Sequence, residues 1–192
     1  MRRLDLIVGP NGSGKTTFVS HFLAPSLPTS AFVNADEIAR ARWPDDPAAH
    51  AYEAAQVAQE TRAALLAAGY SFIAETVFSH PSKVQLALEA KQSGYTVILH
   101  VLLVPEELAV LRVAYRVRAG GHDVPEQKIR ERYKRLWANV ALAATFADSA
   151  TFYDNSRNEG PLMVAELTAG MLTDRARWPD WTPQPLRTLT AS

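Results

Sequence analysis

A chain of 192 residues, nearly half of them apolar, has enough material for one well-packed core. Twenty Lys or Arg balance twenty Asp or Glu, so the surface as a whole has no net charge with which to gather nucleic acid. Cysteine is absent, which removes disulfides and thiolate metal sites. The longest apolar run, "YTVILHVLLV", is about half a membrane span. No secretory signal is legible ahead of it, so a cytoplasmic chain is expected.

The first element is an apolar strand, "LDLIV", running into "GPNGSGKTT" and then the amphipathic "TTFVSHFL". Gly9, four residues, Gly14, Lys15 and Thr16 satisfy G-x-x-x-x-G-K-[ST] in full. Glycines at 9, 12 and 14 let the amides of Gly9, Pro10, Asn11, Gly12, Ser13 and Gly14 curl around an anion, with Pro10 contributing shape and no donor. The helix that starts near Lys15 aims the positive end of its dipole at the same point. ATP is the expected ligand: Lys15 reaches its β- and γ-phosphates, Thr16 ligates Mg²⁺, and Thr17 touches the α-phosphate.

Further along, "AFVNA", "SFIAE", "TVILHVLLV" and "ATFYD" read as strands, separated by helical stretches that end in Gly, such as "PAAHAYEAAQVAQETRAALLAAG" and "PSKVQLALEAKQSG". Strand alternating with helix predicts an α/β fold, a mostly parallel central sheet flanked by helices on both faces. Ligands of such sheets bind beyond the carboxyl ends of the strands, which brings "NADE" and "ETVFSH" beside the glycine loop. Asp36 is there a candidate proton acceptor for an attacking hydroxyl, with an N-cap of the helix "DEIARARW" as its alternative role. Glu75 is a candidate for substrate or metal-bound water, or a plain strand-end acid.

Residues 112–146 read as a helix, a glycine break and a second helix, forming a lid. Eight Lys or Arg lie between Arg112 and Arg135, against Asp123, Glu126 and Glu131. Arg116, Arg118, Arg132 and Arg135 are candidates to meet a transferring phosphoryl group, Gly120 and Gly121 a hinge, and His122 a phosphate contact; solvated helix faces are the alternative. "YDNS" is placed beside an adenine ring. Tyr52, Trp137 and Phe146 are expected in the core. A single domain is expected over 1–178, followed by a tail, 179–192, in which Pro179, Pro183 and Pro185 bar regular structure while Trp178 and Trp181 pin it down.

With these pieces assembled, the chain resembles the zeta-toxin family of P-loop kinases. The matching segments are "GPNGSGKTT", "VNADEIA", "FIAETVFS", "GYTVILHVLLVPEELAVLRVAYRV", "GGHDVPEQKIRERYKRLWANV" and "DNS", in order across most of residues 4–156. The resemblance implies ATP-dependent phosphorylation of a sugar hydroxyl on a UDP-activated aminosugar, chiefly UDP-N-acetylglucosamine, and restraint by a small antitoxin protein. It assigns Lys15 as the phosphate-loop lysine, Asp36 as catalytic base and Arg116 as a lid arginine on the transferred phosphate. A second lid arginine of the larger toxins falls on His122. Where close relatives read "ETTLS" and "RYxRSxxNL", this chain has Val77 and Phe78, then Leu136 and Val140. A nucleotide-switched module that holds a protein partner, and an RNA-end kinase, are the two other readings, the latter least favoured by the neutral charge.

Overall fold

The computed structural model describes residues 2–121 and 123–189. Strand β1 (Arg3–Val8) ends at the glycine loop. Helix α1 (Lys15–Phe18) follows and runs on through a π-helical turn at Val19–Leu23. The chain then passes through β2 (Ala31–Val33), α2 (Ala35–Arg42), α3 (Ala51–Ala68), β3 (Phe72–Thr76), α4 (Ser82–Gln92) and β4 (Thr96–Leu103). After these come α5 (Glu106–Arg118), α6 (Glu126–Ala144), β5 (Ser149–Asp154), β6 (Leu162–Thr168), β7 (Met171–Leu172) and α7 (Gln184–Arg187).

One seven-stranded sheet runs in the order β2-β3-β1-β4-β5-β6-β7. The first five in that order are parallel, as the alternation of strand and helix predicts, and β6 and β7 add an antiparallel edge. Leu4, Leu6, Ile7 and Val8 of β1 are wholly buried because helices cover both faces of this central strand. The order puts β1 between β3 and β4, so Glu75 and Thr76 lie level with Ile7 and Val8 at the edge from which the glycine loop departs.

Residues 112–146 form the expected helix, glycine break and second helix, in α5 and α6. α6 buries Ile129, Tyr133, Leu136, Trp137, Val140, Ala143 and Ala144, a stripe at helical spacing; from Tyr133 onward it packs into the main core, while Ile129 joins a separate cluster with Val104, Ala109, Val113 and Val124. The Tyr133 hydroxyl donates to the Val104 carbonyl at 2.9 Å, and Arg130 bridges to Glu107 and Glu126, binding α6 to α5. Two expectations need correction. The prolines near the end do not bar a helix. Pro185 occupies the first turn of α7, where a missing N–H breaks nothing, and Leu186 is fully buried. Tyr52 is exposed on α3, whereas Trp137 is core and Phe146 packs against it.

Candidate active site

The glycine loop lies over α5. Gly12 has φ +75°, and a Cβ there would stand 2.7 Å from the Ala109 carbonyl, so no side chain fits between loop and helix. Gly14 is equally closed by Asn155, whose amide donates to the Ser13 carbonyl at 2.8 Å. Arg112 on α5 donates to the Asn155 carbonyl at 2.8 Å, which ties helix, loop and the "DNS" turn together.

Lys15 is buried, and its ammonium donates to the carbonyls of Gly9 at 3.1 Å and Pro10 at 2.9 Å. Burial lowers its pKa, and the nearby carboxylates of Glu75 and Asp36 oppose that shift. Lys15 shares one cleft with Asn11, Thr16, Asn34, Asp36 and Glu75. Arg116 and Arg132 reach the same cleft from α5 and α6.

Asn34 settles what Asp36 does locally. Asn34 is the N-cap of α2: its side-chain oxygen accepts from the amides of Asp36 at 2.7 Å and Glu37 at 3.3 Å. The expected alternative, Asp36 as cap, is therefore wrong, and its carboxylate is left to line the cleft. The same Asn34 side chain donates to Glu75 Oε2 at 2.6 Å, and Thr16 Oγ1 donates to that oxygen at 2.9 Å. Burial raises the Glu75 pKa most, Lys15 and the two hydrogen bonds pull it down, and Asp36 pushes it up; the net direction is upward.

A hydroxyl and two carboxylates side by side are hard oxygen donors of the kind Mg²⁺ takes. Among the described residues no group of three or more His, Cys, Asp or Glu is placed to hold a metal ion by itself.

The wall beyond Glu75 is strained. Phe78 is buried at φ +66°, a conformation that bulky residues avoid. Its amide donates to Thr76 Oγ1 at 3.1 Å and its carbonyl accepts from Asn139 at 3.0 Å, which together hold the turn.

Of the basic candidates, Arg116 and Arg132 meet Lys15 and Asp36, while Arg118 and Arg135 are exposed and line none of the cavities around the loop. His122 lies outside the described residues. The two glycines form a helix stop. Gly120 adopts φ +80°, its amide bonds the Val117 carbonyl, and that of Gly121 bonds the Arg116 carbonyl at 2.9 Å. A Cβ at Gly121 would come within 2.6 Å of Arg116 Cγ, so the stop also packs on the cleft arginine. A second cavity, of 400 Å³, opens on the other side of the loop between Thr17, His21 and Phe22 and the segment Asn155–Pro161.

Two residues escaped the sequence reading. Asn34, the N-cap of α2, is a cap-forming residue two positions ahead of Asp36 and was legible as such. Arg62, in the middle of α3, is 5% exposed, lines the cleft and carried no signal in sequence.

Among solved structures, a chain of the AvrRxo1-ORF1:AvrRxo1-ORF2 complex with sulphate ions has the same fold (TM-score 0.69, 15% identity, 90% of this chain and 60% of that one). The same complex with ATP matches at a TM-score of 0.59 and 16% identity over the same shares. A chain of the PezAT chromosomal toxin–antitoxin system of Streptococcus pneumoniae matches at 0.63 with 16% identity, covering 86% of this chain and 71% of that one. The chain thus spans about 60% of the length of the AvrRxo1 chains it matches. The P-loop kinase fold that the zeta-toxin resemblance implied is the fold found. No curated protein matches by sequence. A family model described as "AAA domain" matches residues 4–138, from β1 through the glycine loop to the middle of α6, and the chain belongs to that family.

Proposed function

We propose that the protein is an ATP-dependent small-molecule kinase that phosphorylates a sugar hydroxyl of a UDP-activated aminosugar such as UDP-N-acetylglucosamine. The observation that carries this reading is the Asp36 carboxylate, released from capping by Asn34 and held in the same cleft as Lys15, Thr16, Glu75 and Arg116. The glycine loop grips the ATP phosphates through its amides, and the 400 Å³ cavity beside Phe22 and Asn155 takes the adenine. Mg²⁺, held by Thr16 with Glu75 and Asp36 nearby, would neutralise phosphate charge.

Asp36 accepts the proton of the acceptor hydroxyl as its oxygen forms a bond to the γ-phosphorus. The bond from that phosphorus to the bridging oxygen breaks, and ADP keeps the electron pair. Lys15, Arg116 and Arg132 spread the charge on the moving group. Arg118 and Arg135, exposed and away from the cavities around the loop, would act only from the outer face of α5 and α6. By analogy with the PezAT toxin–antitoxin system matched above, the proposed partner is a small antitoxin protein. We place the enzyme in the cytoplasm; among the described residues no helix is long and apolar enough to cross a membrane.

The test incubates the protein with ATP, Mg²⁺ and a panel of UDP-sugars, other nucleotides and RNA ends, with products read by mass. Asp36→Asn should retain ATP binding and lose transfer by about 10²–10⁴-fold. Full activity in Asp36→Asn would remove the base assignment. Phosphate release that depends on a protein partner, with no small-molecule product, would mark a nucleotide switch instead.

A further inference from the structure

Phe22 forms part of the wall of the 400 Å³ cavity beside the glycine loop and is 53% exposed. A single exposed aromatic is ordinary on a protein surface, but this ring is held in place. It meets Phe18 with centroids 5.3 Å apart, and buried Phe18 is in turn set against Tyr153 of β5 at 5.1 Å and His100 of β4 at 5.7 Å. Phe22 thus ends an aromatic column rooted in the sheet. The backbone that carries it is unusual: the helix becomes a π-helical turn at Val19–Leu23, and the Thr17 carbonyl accepts from the side chains of Ser20 and His21, at 3.0 Å each. Such turns are rare and collect at functional positions. The wider turn changes which residues of this stretch meet the cavity, and Thr17, His21 and Phe22 are the exposed ones that do.

The buried and half-buried polar side chains around this cavity are already engaged with the protein. Asn155 donates to the Ser13 carbonyl, and Arg112 donates to the carbonyls of Asn155 and Ser156. His21 Nδ1 is taken by Thr17, which leaves Nε2 of that ring as an acceptor. The groups left to meet the edge of a base are Thr17 Oγ1, His21 Nε2, the side chains of Arg157 and Asn158, and the backbone of the loop that carries the last two. All four of these residues are exposed. Exposed groups select weakly, because a base with the wrong edge exchanges a hydrogen bond to the protein for one to water. Strong discrimination needs a buried group that the wrong base would leave unpaired.

We infer that Phe22 is the platform on which the nucleobase of the phosphate donor stacks, and that the donor is chosen by its triphosphate and not by its base, so that GTP serves as well as ATP. This rests on the reading of the glycine loop as a nucleoside-triphosphate site and deepens it. Stacking gives affinity without reading the edge of the base, since every base presents a π-face. The loop amides and Lys15 meet only the phosphates, which ATP and GTP share.

The test reads binding first and transfer second, so that the platform and the kinase reading can fail separately. Wild type, Phe22→Ala and Phe22→Trp are titrated calorimetrically in Mg²⁺ with adenylyl imidodiphosphate, guanylyl imidodiphosphate and inorganic tripolyphosphate. Wild type should bind the two nucleotides within about tenfold of each other, and Phe22→Ala should weaken both by about tenfold or more. Affinity for tripolyphosphate should be the same in wild type and Phe22→Ala, whereas a residue that merely props the loop would weaken all three ligands together. Phe22→Trp should restore nucleotide affinity, and both nucleotides should quench the fluorescence that the introduced indole adds. A preference for either base beyond about tenfold, undiminished nucleotide binding in Phe22→Ala, an equal loss of tripolyphosphate, or an indole signal that no nucleotide changes would each overturn the platform. Wild type that binds neither nucleotide would overturn the platform and the kinase reading together. Turnover is then followed with ATP. Nucleotide binding that depends on Phe22, in a protein that transfers no phosphate to any acceptor, would keep the platform and refute the kinase reading; transfer with the same KM for ATP in wild type and Phe22→Ala would keep the kinase and remove the platform.

Discussion

Asn34 joins two parts of the cleft, and its loss can be worked through. The side chain is 4% exposed, caps α2 through its oxygen and donates to Glu75 Oε2 at 2.6 Å through its nitrogen. A lost cap costs about 1 kcal/mol, and a lost hydrogen bond to a charged acceptor about 1.5–3 kcal/mol. We predict that Asn34→Ala loses about 3 kcal/mol, or ~6–12 °C for a domain of this size. Asn34→Ser keeps the cap alone and should lose about 2 kcal/mol. Asn34→Asp also keeps the cap, but sets a second carboxylate against Glu75.

At neutral pH that like-charge contact should make Asn34→Asp the least stable of the three. Its pH dependence has a definite sign. A carboxyl whose folded pKa is raised costs stability above that pKa, and the cost vanishes as pH falls through it. Glu75 is already raised by burial, and the introduced carboxylate raises the pair further. Acidification should therefore rescue Asn34→Asp relative to Asn34→Ser. Urea unfolding of the three variants between about pH 4 and pH 8 reads this directly. If Asn34→Asp and Asn34→Ser were equally stable at every pH, the Asn34–Glu75 bond would contribute nothing and the coupling argued here would fail.

Three other outcomes follow from single contacts. Asp5 is 1% exposed, accepts from Arg3 at 2.6 and 2.7 Å and pairs with His100 at 2.9 Å; burial pushes its pKa up, but these partners outweigh it and hold the group below its ordinary value. Asp5→Asn should cost about 2–3 kcal/mol at pH 7, less than a fully buried pair because Arg3 reaches solvent. A depressed folded pKa gives stability that is present above the unfolded value, about 3.9, and is lost as pH falls through the folded one, so the gap between wild type and variant should narrow as pH is taken below that unfolded value. Gly12→Ala adds left-handed strain and a Cβ 2.7 Å from the Ala109 carbonyl, and should lose about 2–4 kcal/mol by urea unfolding together with most ATP affinity by calorimetry. Leu186→Ala should cost about 2–5 kcal/mol in the same unfolding assay, since α7 is anchored in the main core; no loss would return these residues to the status of a loose tail.

Sequence made legible what depends on spacing along one element. The glycine loop, the five parallel strands and the helix stop after α5 all follow from local pattern. It did not reveal β6 and β7. The run "LMVAELT" is rich in residues that also favour helices, and only Val164 and Thr168 speak for a strand. The hairpin after it turns on Ala169 and Gly170, both at positive φ, which is the geometry of a type I′ turn without the usual Asn or Asp ahead of the Gly. Asp36 and Asn34 could each have been the cap, and only the placement of the first helical turn decides between them. Arg116 and Arg118 could not be ranked either. Two residues apart on one helix, they face opposite ways, and which way the cleft lies is set by how α5 meets the loop. Arg62 was hidden because a lone arginine amid alanines reads as a solvated face until α4 is laid across it.

The bracing of the glycine loop bears on how the cleft works. Gly12 presses on α5, Asn155 presses on Gly14 and holds Ser13, and Arg112 of α5 donates to Asn155, so three contacts close a triangle around the loop. Arg116 lies one helical turn beyond Arg112 on the same α5. Its distance from Lys15 is thus set by packed backbone and not by the swing of a hairpin. α6 is fixed as firmly, through Tyr133 to Val104 just beyond β4 and through Arg130 to α5. An arginine held in this way is preorganised, and electrostatic stabilisation is strongest when the charge need not be moved into place. Asp36 is tied into the same frame: it lies in the first turn of α2, whose cap Asn34 donates to Glu75 at 2.6 Å, so the two carboxylates and the cations of the cleft are all positioned by packed elements.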